Sequence, residues 1–398
     1  MRSGMAGAME HPGSRPRQPA AVDSPRGTAV RAGAVGRLLI SADSHVMEPV
    51  DLWTSGLPAQ LRAHGPRVEP RDGVACLLVE DTVVRRFPPV AKAAGPADAA
   101  DEKTLMRGAS DPAGRLRDLD TDGVWGEVIY PNLAFFCCFH IRSAELQIET
   151  ARLYNDWVAE RFIAASERFA PVAVLPVNDV AAAVKELWRA ARRGFRGAML
   201  PAHMDLRPYN DPAYDPLWAA AEELGVPLTF HAGTGRTQTP AHGTGGAVIN
   251  YVVTVAGPME TVAYLCSSGV LERHPKLRVV MVECGSGWLA WVLHAMDDAY
   301  REHHMFVRPK LALLPSEYFR RQGAVTFQRD PVGLANLPFT GDRSLMWGSD
   351  YPHPEGTWPH SQEVLARQLE GLPESTIDRI VTWNAAELYR FRLPTDAA

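Results

Sequence analysis

Lysine is almost missing from this 398-residue chain. Lys92, Lys103, Lys185, Lys276 and Lys310 are the only ones, so any chemistry that needs an amine must choose among them. No C-x-x-C pair occurs among Cys76, Cys137, Cys138, Cys266 and Cys284, and an odd cysteine count in a long chain argues against a disulfide framework. Reduced thiols are expected. No apolar run has the length of a membrane span, and the first 36 residues lack the apolar core of a signal peptide. These absences lead to the expectation of a cytoplasmic protein with no membrane partner. A basic face and an acidic tail are missing too: 41 Lys and Arg stand against 46 Asp and Glu, net −5 and spread along the chain. That distribution offers nothing to a nucleic-acid backbone.

With 46% hydrophobic and 22% charged residues, the composition is that of a globular protein. Residues 1–36 are rich in Pro, Gly, Arg and Ser without periodic apolar positions. They are expected to form a disordered leader, because they cannot bury enough surface to offset their ordering entropy. From residue 37 onward, short apolar runs alternate with amphipathic stretches. Eight strands are predicted, at Leu38–Asp43, Val124–Pro131, Pro171–Pro176, Arg196–Pro201, Val226–His231, Leu277–Glu283, Gly323–Phe327 and Ser344–Asp350. Helical spacing fills the gaps, as in Ala144–Ser166, Val180–Arg193, Asp215–Leu224, Trp288–Tyr300, Ser361–Gly371 and around Ile377–Tyr389. This is the pattern of an α/β protein, a (β/α)8 barrel over residues 37–398, with a doubly wound open sheet as the alternative. An insertion at about 51–115 interrupts it after the first strand. Within it, Cys76–Phe87 reads as a β-hairpin turning near Glu80 and Asp81.

In such a barrel the chemistry sits where strands end. The first strand runs into Asp43-Ser44-His45, whose outer two residues point the same way. The fifth ends in His231 and the eighth in Asp350. Taken singly, each has an ordinary structural explanation as a turn, a cap or a hydrogen-bonded core residue. Together, two imidazoles and two carboxylates from strands one, five and eight make a site for one divalent cation. His140, His203 and His353 follow the ends of strands two, four and eight and are candidate substrate contacts. The Gly-rich stretch His231–Gly246 lacks the GK[ST] of a phosphate loop and reads as a loop over the mouth. Gly285-Ser286-Gly287-Trp288 opens a helix and presents N–H groups to an anion or to packing. Cys137 and Cys138 read as apolar lining, and Trp288 and Trp291 as barrel packing.

Several of these segments resemble a known family. ISADSHVMEP (Ile40–Pro49), TFHAGTG (Thr229–Gly235), VECGSGWLAWVLHAMD (Val282–Asp297) and WGSDYPHPEGTWP (Trp347–Pro359) look like the amidohydrolase-related proteins, the branch of the amidohydrolase superfamily that includes aminocarboxymuconate-semialdehyde decarboxylase. The likeness runs from about Leu38 to Phe391. It implies a (β/α)8 barrel holding one zinc or manganese ion per chain, with Asp43, His45, His231 and Asp350 as ligands. The implied reaction is non-oxidative decarboxylation of a small aromatic or unsaturated carboxylic acid; metal-dependent hydrolysis of a small ester, lactone or amide is the alternative. A homodimer or larger homo-oligomer is implied as well. Strand four, RGAMLP, has no lysine for a carbamylated bridge between two metals, which favours one. Asp350 is the natural proton carrier in either reaction. Many decarboxylases of the family have a histidine at the end of strand six, where this chain has Glu283-Cys284-Gly285. Glu283 is therefore a catalytic candidate. Hydrogen bonding to bound water, contact with substrate and orientation of His231 all remain open to it. A metal-free binding protein on the same scaffold is the reading from a different class.

Overall fold

Apolar β-branched runs bounded by turns become parallel strands when helices cover their outer face. The computed structural model describes residues 36–87, 108–204, 206–235 and 243–394. The anticipated leader, apart from Gly36, lies outside the described residues, and the described ones fall within one unit, Ala32–Ala398. In chain order the strands are β1 (Leu39–Ser41), β2 (His45–Val46), β3 (Arg67–Arg71), β4 (Val74–Val79), β5 (Thr82–Phe87), β6 (Val124–Pro131), β7 (Phe169–Val174), β8 (Gly197–His203), β9 (Leu228–Gly235), β10 (Val279–Val282), β11 (Gly323–Phe327) and β12 (Leu345–Trp347). One parallel sheet runs β1-β6-β7-β8-β9-β10-β11-β12, with β2 also on β6. Each of the eight predicted runs is present, and β6 and β11 have the predicted ends.

The sheet closes through single contacts between its first and last members. Ala42 N–H donates to Trp347 O at 2.9 Å, Asp350 N–H to Asp43 O at 2.9 Å, and Ser44 bridges Tyr351. The predicted first strand therefore splits into β1 and β2 around Asp43, where Ser44 Oγ turns to donate to Val128 O at 2.8 Å. The last strand stops at Trp347, short of the predicted Asp350. Gly348 explains the stop, since a Cβ there would lie 2.5 Å from that of Asp43, and only glycine permits the two chains to come so close.

Helices follow where caps allow. Asp111 accepts from Gly114 N–H ahead of the helix Pro112–Asp122, which ends on left-handed Gly123. Ser143 and Asp179 likewise cap Ala144–Val158 and Val180–Arg192. Outward helices and inward strands bury Val128, Val172, Met199, Phe230, Val280, Val325 and Met346 in one core. The insertion holds an antiparallel sheet of β3, β4 and β5 rather than a lone hairpin. Its turn is at Glu80 and Asp81, both with positive φ as a two-residue hairpin turn requires. β3 (Arg-Val-Glu-Pro-Arg) escapes prediction because its charges and proline look like loop. Residues 88–107 of the insertion lie outside the described ones.

Two expectations need correction. Trp291 does not pack on the barrel: it is 63% exposed. It lines an outward groove of about 630 Å³ with Met259, Met296 and Phe306. Gly246–Ser267 has the length and apolar character of a membrane span, yet it forms two helices, Gly246–Val253 and Ala256–Ser267.

The seam is braced by a buried ion pair. Arg115 and Glu127 are both fully buried; Arg115 Nε donates to one Glu127 oxygen and Nη2 to the other at 3.2 Å. Its Nη1 reaches His45 O at 2.6 Å, and its Cζ lies 4.9 Å from the Tyr351 ring centroid. Removing one partner leaves a buried charge uncompensated. Arg115→Met is expected to destabilise the fold by about 3–5 kcal/mol in urea titrations, and the double variant with Glu127→Leu to recover much of that loss. A single-variant loss below about 1 kcal/mol would show that the pair does not brace the barrel.

Candidate active site

Parallel register brings the polar strand ends to one level. His231 on β9 pairs with Pro201 on β8 and Val282 on β10, so Glu283 follows directly beside it. His45 pairs with Tyr130 on β6, and the seam sets Asp43 beside Asp350. Asp43, His45, His231 and Glu283 bring ligating atoms within 4.8 Å of one another, and a second set, His45, Glu283, Asp350 and His353, does the same. All but Glu283 and His353 are buried.

Both core histidines are oriented through the ring nitrogen that faces away from the cluster. His45 Nδ1 lies 2.9 Å from Pro131 O, and His231 Nδ1 lies 3.0 Å from Ala232 O. A nitrogen against a carbonyl must carry the proton, which leaves Nε2 of a neutral ring as an acceptor pointing into the cluster. His231 Nε2 meets Asp43 Oδ1 at 3.7 Å and Glu283 Oε2 at 3.4 Å, and it has no hydrogen-bond donor. Both Asp43 oxygens and Asp350 Oδ2 are buried without a partner too. Acceptors facing acceptors in a buried space are costly unless a cation lies between them. This donor set of imidazole nitrogens and carboxylate oxygens fits a divalent ion such as zinc or manganese.

The titration of these groups follows from the same crowding. Burial pushes Asp43 up to about 7, with Asp350 adding to the rise and His45 opposing it. Burial pushes His231 down to about 4, which keeps its ring neutral. Burial opposes the charged form of His45, but hydrogen bonds to Asp350 and Glu283 hold it well above the ordinary histidine range. Asp350 is buried, yet the hydrogen bonds from His353 and His45 hold it below the ordinary carboxylate range. His45 Nε2 is 3.2 Å from Glu283, 3.4 Å from Asp350 and 3.7 Å from Asp43, so a positive charge at that point is favoured.

His353 joins the cluster: its Nδ1 lies 2.8 Å from Asp350 Oδ1 and its ring stands 4.2 Å from that of His45. His203 and His140 belong to neither set of gathered residues. His203 Nδ1 lies 2.6 Å from Glu260, and His140 Nδ1 bonds Phe136 O within its own turn. The N–H groups of Ser286 and Gly287 donate to Asp330 Oδ2, at 2.5 and 2.8 Å, so the turn is closed by a carboxylate of the chain itself. Arg236 to His242 of the Gly-rich stretch lie outside the described residues.

Sequence reasoning missed the supports around these groups. Phe135 stacks edge-on to His231 with centroids 4.6 Å apart, and Tyr130 does so at 5.1 Å. Phe135 rides on the short helix Leu133–Cys137, whose start is held by Glu48. The buried Glu48 carboxylate accepts from the N–H groups of Asn132, Leu133 and Ala134 at 3.2, 2.8 and 2.9 Å. Its only sequence signal was its place in ISADSHVMEP. Glu48→Gln turns an N–H donor toward those N–H groups. It is expected to lower stability by about 1–3 kcal/mol in chemical denaturation, and an unchanged midpoint would refute the clamp.

Residues 79–391 match the family described as Amidohydrolase. Decarboxylase orsB of Emericella nidulans is 31% identical over 161 residues, 38% of this chain and 48% of that protein. Gamma-resorcylate decarboxylase of Rhizobium radiobacter is 29% identical over 259 residues, 60% of this chain and 76% of that protein. Among solved structures, an amidohydrolase from Mycobacterium avium subsp. paratuberculosis K-10 covers 89% of this chain and all of its own, with TM-score 0.71 at 20% identity. A dihydroxybenzoic acid decarboxylase from Polaromonas sp. JS666, solved with bound manganese and 2-nitroresorcinol, covers 90% of this chain and 98% of its own, with TM-score 0.61 at 19% identity. Both structures share the barrel fold.

Proposed function

The chain belongs to the amidohydrolase family, and from that premise we propose that it is a metal-dependent decarboxylase of a small aromatic carboxylic acid. The observation that carries the proposal is the gathered quartet of Asp43, His45, His231 and Glu283, in which the buried Asp43 and His231 have unpartnered atoms within ligating distance of the others. The decarboxylase names of the curated relatives select the reaction. Asp43, His45, His231 and Asp350 would hold one zinc or manganese ion. A bound divalent ion would supply positive charge that stabilises negative charge developing on a carboxylic acid substrate.

The chain's own residues do the rest. Phe135 and Tyr130 wall the histidines with aromatic surface suited to a ring. Breaking the bond between ring and carboxyl carbon releases carbon dioxide and leaves the electron pair on the ring carbon, which must then take a proton. In this reading Asp350 delivers it. One of its oxygens accepts from His353 and the other is free toward the cluster, so the pair forms a short proton path from the half-exposed His353 inward. His353 would also contact substrate, with His203 and His140 further out on the same face. A reducing, cytoplasmic setting fits five cysteines that are all buried and free. A second copy of the chain is proposed to cover the exposed Trp291, Met305 and Phe306 as a homodimer, a state that light scattering reads directly.

Elemental analysis should find about one divalent ion per chain, and His231→Ala should remove it while circular dichroism keeps the barrel. Two ions, or none after growth in supplemented medium, would overturn the site. Asp350→Asn keeps size but removes basicity, and turnover should fall by about 10²–10⁴-fold. Run in deuterated water, the reaction should place deuterium on the carbon that lost the carboxyl. Heavy oxygen from labelled water in a new acid product, with no carbon-bound deuterium, would show hydrolysis instead.

A further inference from the structure

Taking the metal-binding reading of the site as its basis, we infer that Glu283 is itself a direct ligand of the ion. The distances carry this. At tetrahedral corners, oxygen and nitrogen donors about 2.0–2.2 Å from zinc lie about 3.3–3.6 Å from each other. Glu283 Oε2 is 3.2 Å from His45 Nε2 and 3.4 Å from His231 Nε2. Asp43 Oδ1 is 3.7 Å from each of the same two nitrogens. These four separations outline one coordination polyhedron, with Glu283 closing it on the side open to the mouth. Asp350 adds one such separation, from Oδ1 to His45 Nε2 at 3.4 Å; that oxygen is shared with His353 at 2.8 Å, and Oδ2 has no partner. Of the two gathered sets, only the second includes Asp350, and Glu283 belongs to both.

Orientation of His231 does not account for Glu283. Nδ1 of that ring holds the proton against Ala232 O, so Nε2 offers Glu283 a lone pair and nothing to accept. Two acceptors 3.4 Å apart are drawn together by a cation between them. The backbone is also bent to bring them there. Glu283 sits at φ +51, a left-handed conformation that a non-glycine residue adopts at a cost. Thr326 Oγ1 accepts from its N–H at 2.9 Å and pins the turn. An extended continuation of β10 would carry the carboxylate on along the strand direction; the left-handed turn aims it at the histidines. The sharing of ligands leaves Asp350 with more freedom to carry a proton, and it places two carboxylates, Asp43 and Glu283, against the two charges of the ion.

The test uses the full chain stripped by chelator and titrated with Co²⁺, whose visible absorption reports the ligands directly. Metal affinity is read by chelator competition and folding by circular dichroism. Glu283→Gln keeps the shape but removes the anionic donor. It should change the cobalt spectrum and weaken affinity by more than about 100-fold, beyond the 10–100-fold that partners of ligands produce. Glu283→His, a donor of another kind, should recover affinity with a third spectrum. An unchanged cobalt spectrum in Glu283→Gln would overturn the assignment whatever the affinity, and would leave the metal site itself standing. Failure of the unaltered chain to bind Co²⁺ at all would instead overturn the reading on which the inference rests.

Discussion

The hydrogen bond from the Asp350 amide to the Asp43 carbonyl, 2.9 Å long, is the constraint on which the rest depends. It joins the last strand to the first where neither continues as a regular ladder. In doing so it fixes two buried carboxylates on adjoining backbones. Gly348 makes the approach possible, and Ser41 holds it, its hydroxyl accepting from Ser349 N–H at 2.8 Å. Arg115 adds a brace from outside by bonding His45 O and lying against Tyr351. Closure of the barrel and assembly of the site are thus one structural event, and a change that loosens the seam should disturb both.

Collecting carboxylates in this way is unfavourable by itself. Asp43, Asp350 and Glu283 surround His45 within 3.7 Å, and of these four only Glu283 is part-exposed. Like charges held this close raise one another's protonation or recruit a cation. The shifts seen at Asp43 and His45 are the proton's response to a position that suits a positive charge. His231, forced neutral by burial, supplies the contrasting requirement of a lone pair. A proton satisfies the first demand and leaves the second unmet, whereas a divalent ion satisfies both.

How much of this could be read in the sequence divides along the range of the interactions involved. Short apolar runs and their turns are local, so β6 and β11 have the ends the sequence predicts. Asp43, His45, His231, Asp350 and Glu283 were legible because a barrel has one chemical face and an apolar run leads up to each, although His45 opens β2, His231 lies inside β9 and Asp350 falls past the end of β12. Contacts across that face were not. Nothing local in the sequence ties Glu48 to the start of a helix more than eighty residues on, or Asp330 to the N–H groups of Ser286 and Gly287. Trp291 was misplaced for a related reason: helical spacing identifies a face without saying whether that face turns inward.

In the proposed site, one strand end sets how charge is distributed around the ion. A histidine following β10 would add a neutral or cationic group that moves protons. On the proposed reading Glu283 adds an anion instead, and the proton traffic shifts to the other side of the cluster. There, among the described residues, His353 pairs with Asp350, a part-exposed imidazole bonded at 2.8 Å to a carboxylate whose second oxygen is buried without a partner. On the proposed reading the two changes belong together, because a second strongly held carboxylate ligand relieves Asp350 of part of its share in the ion. A base that is less tightly engaged is the better proton carrier, and the half-exposed ring behind it supplies the route to water.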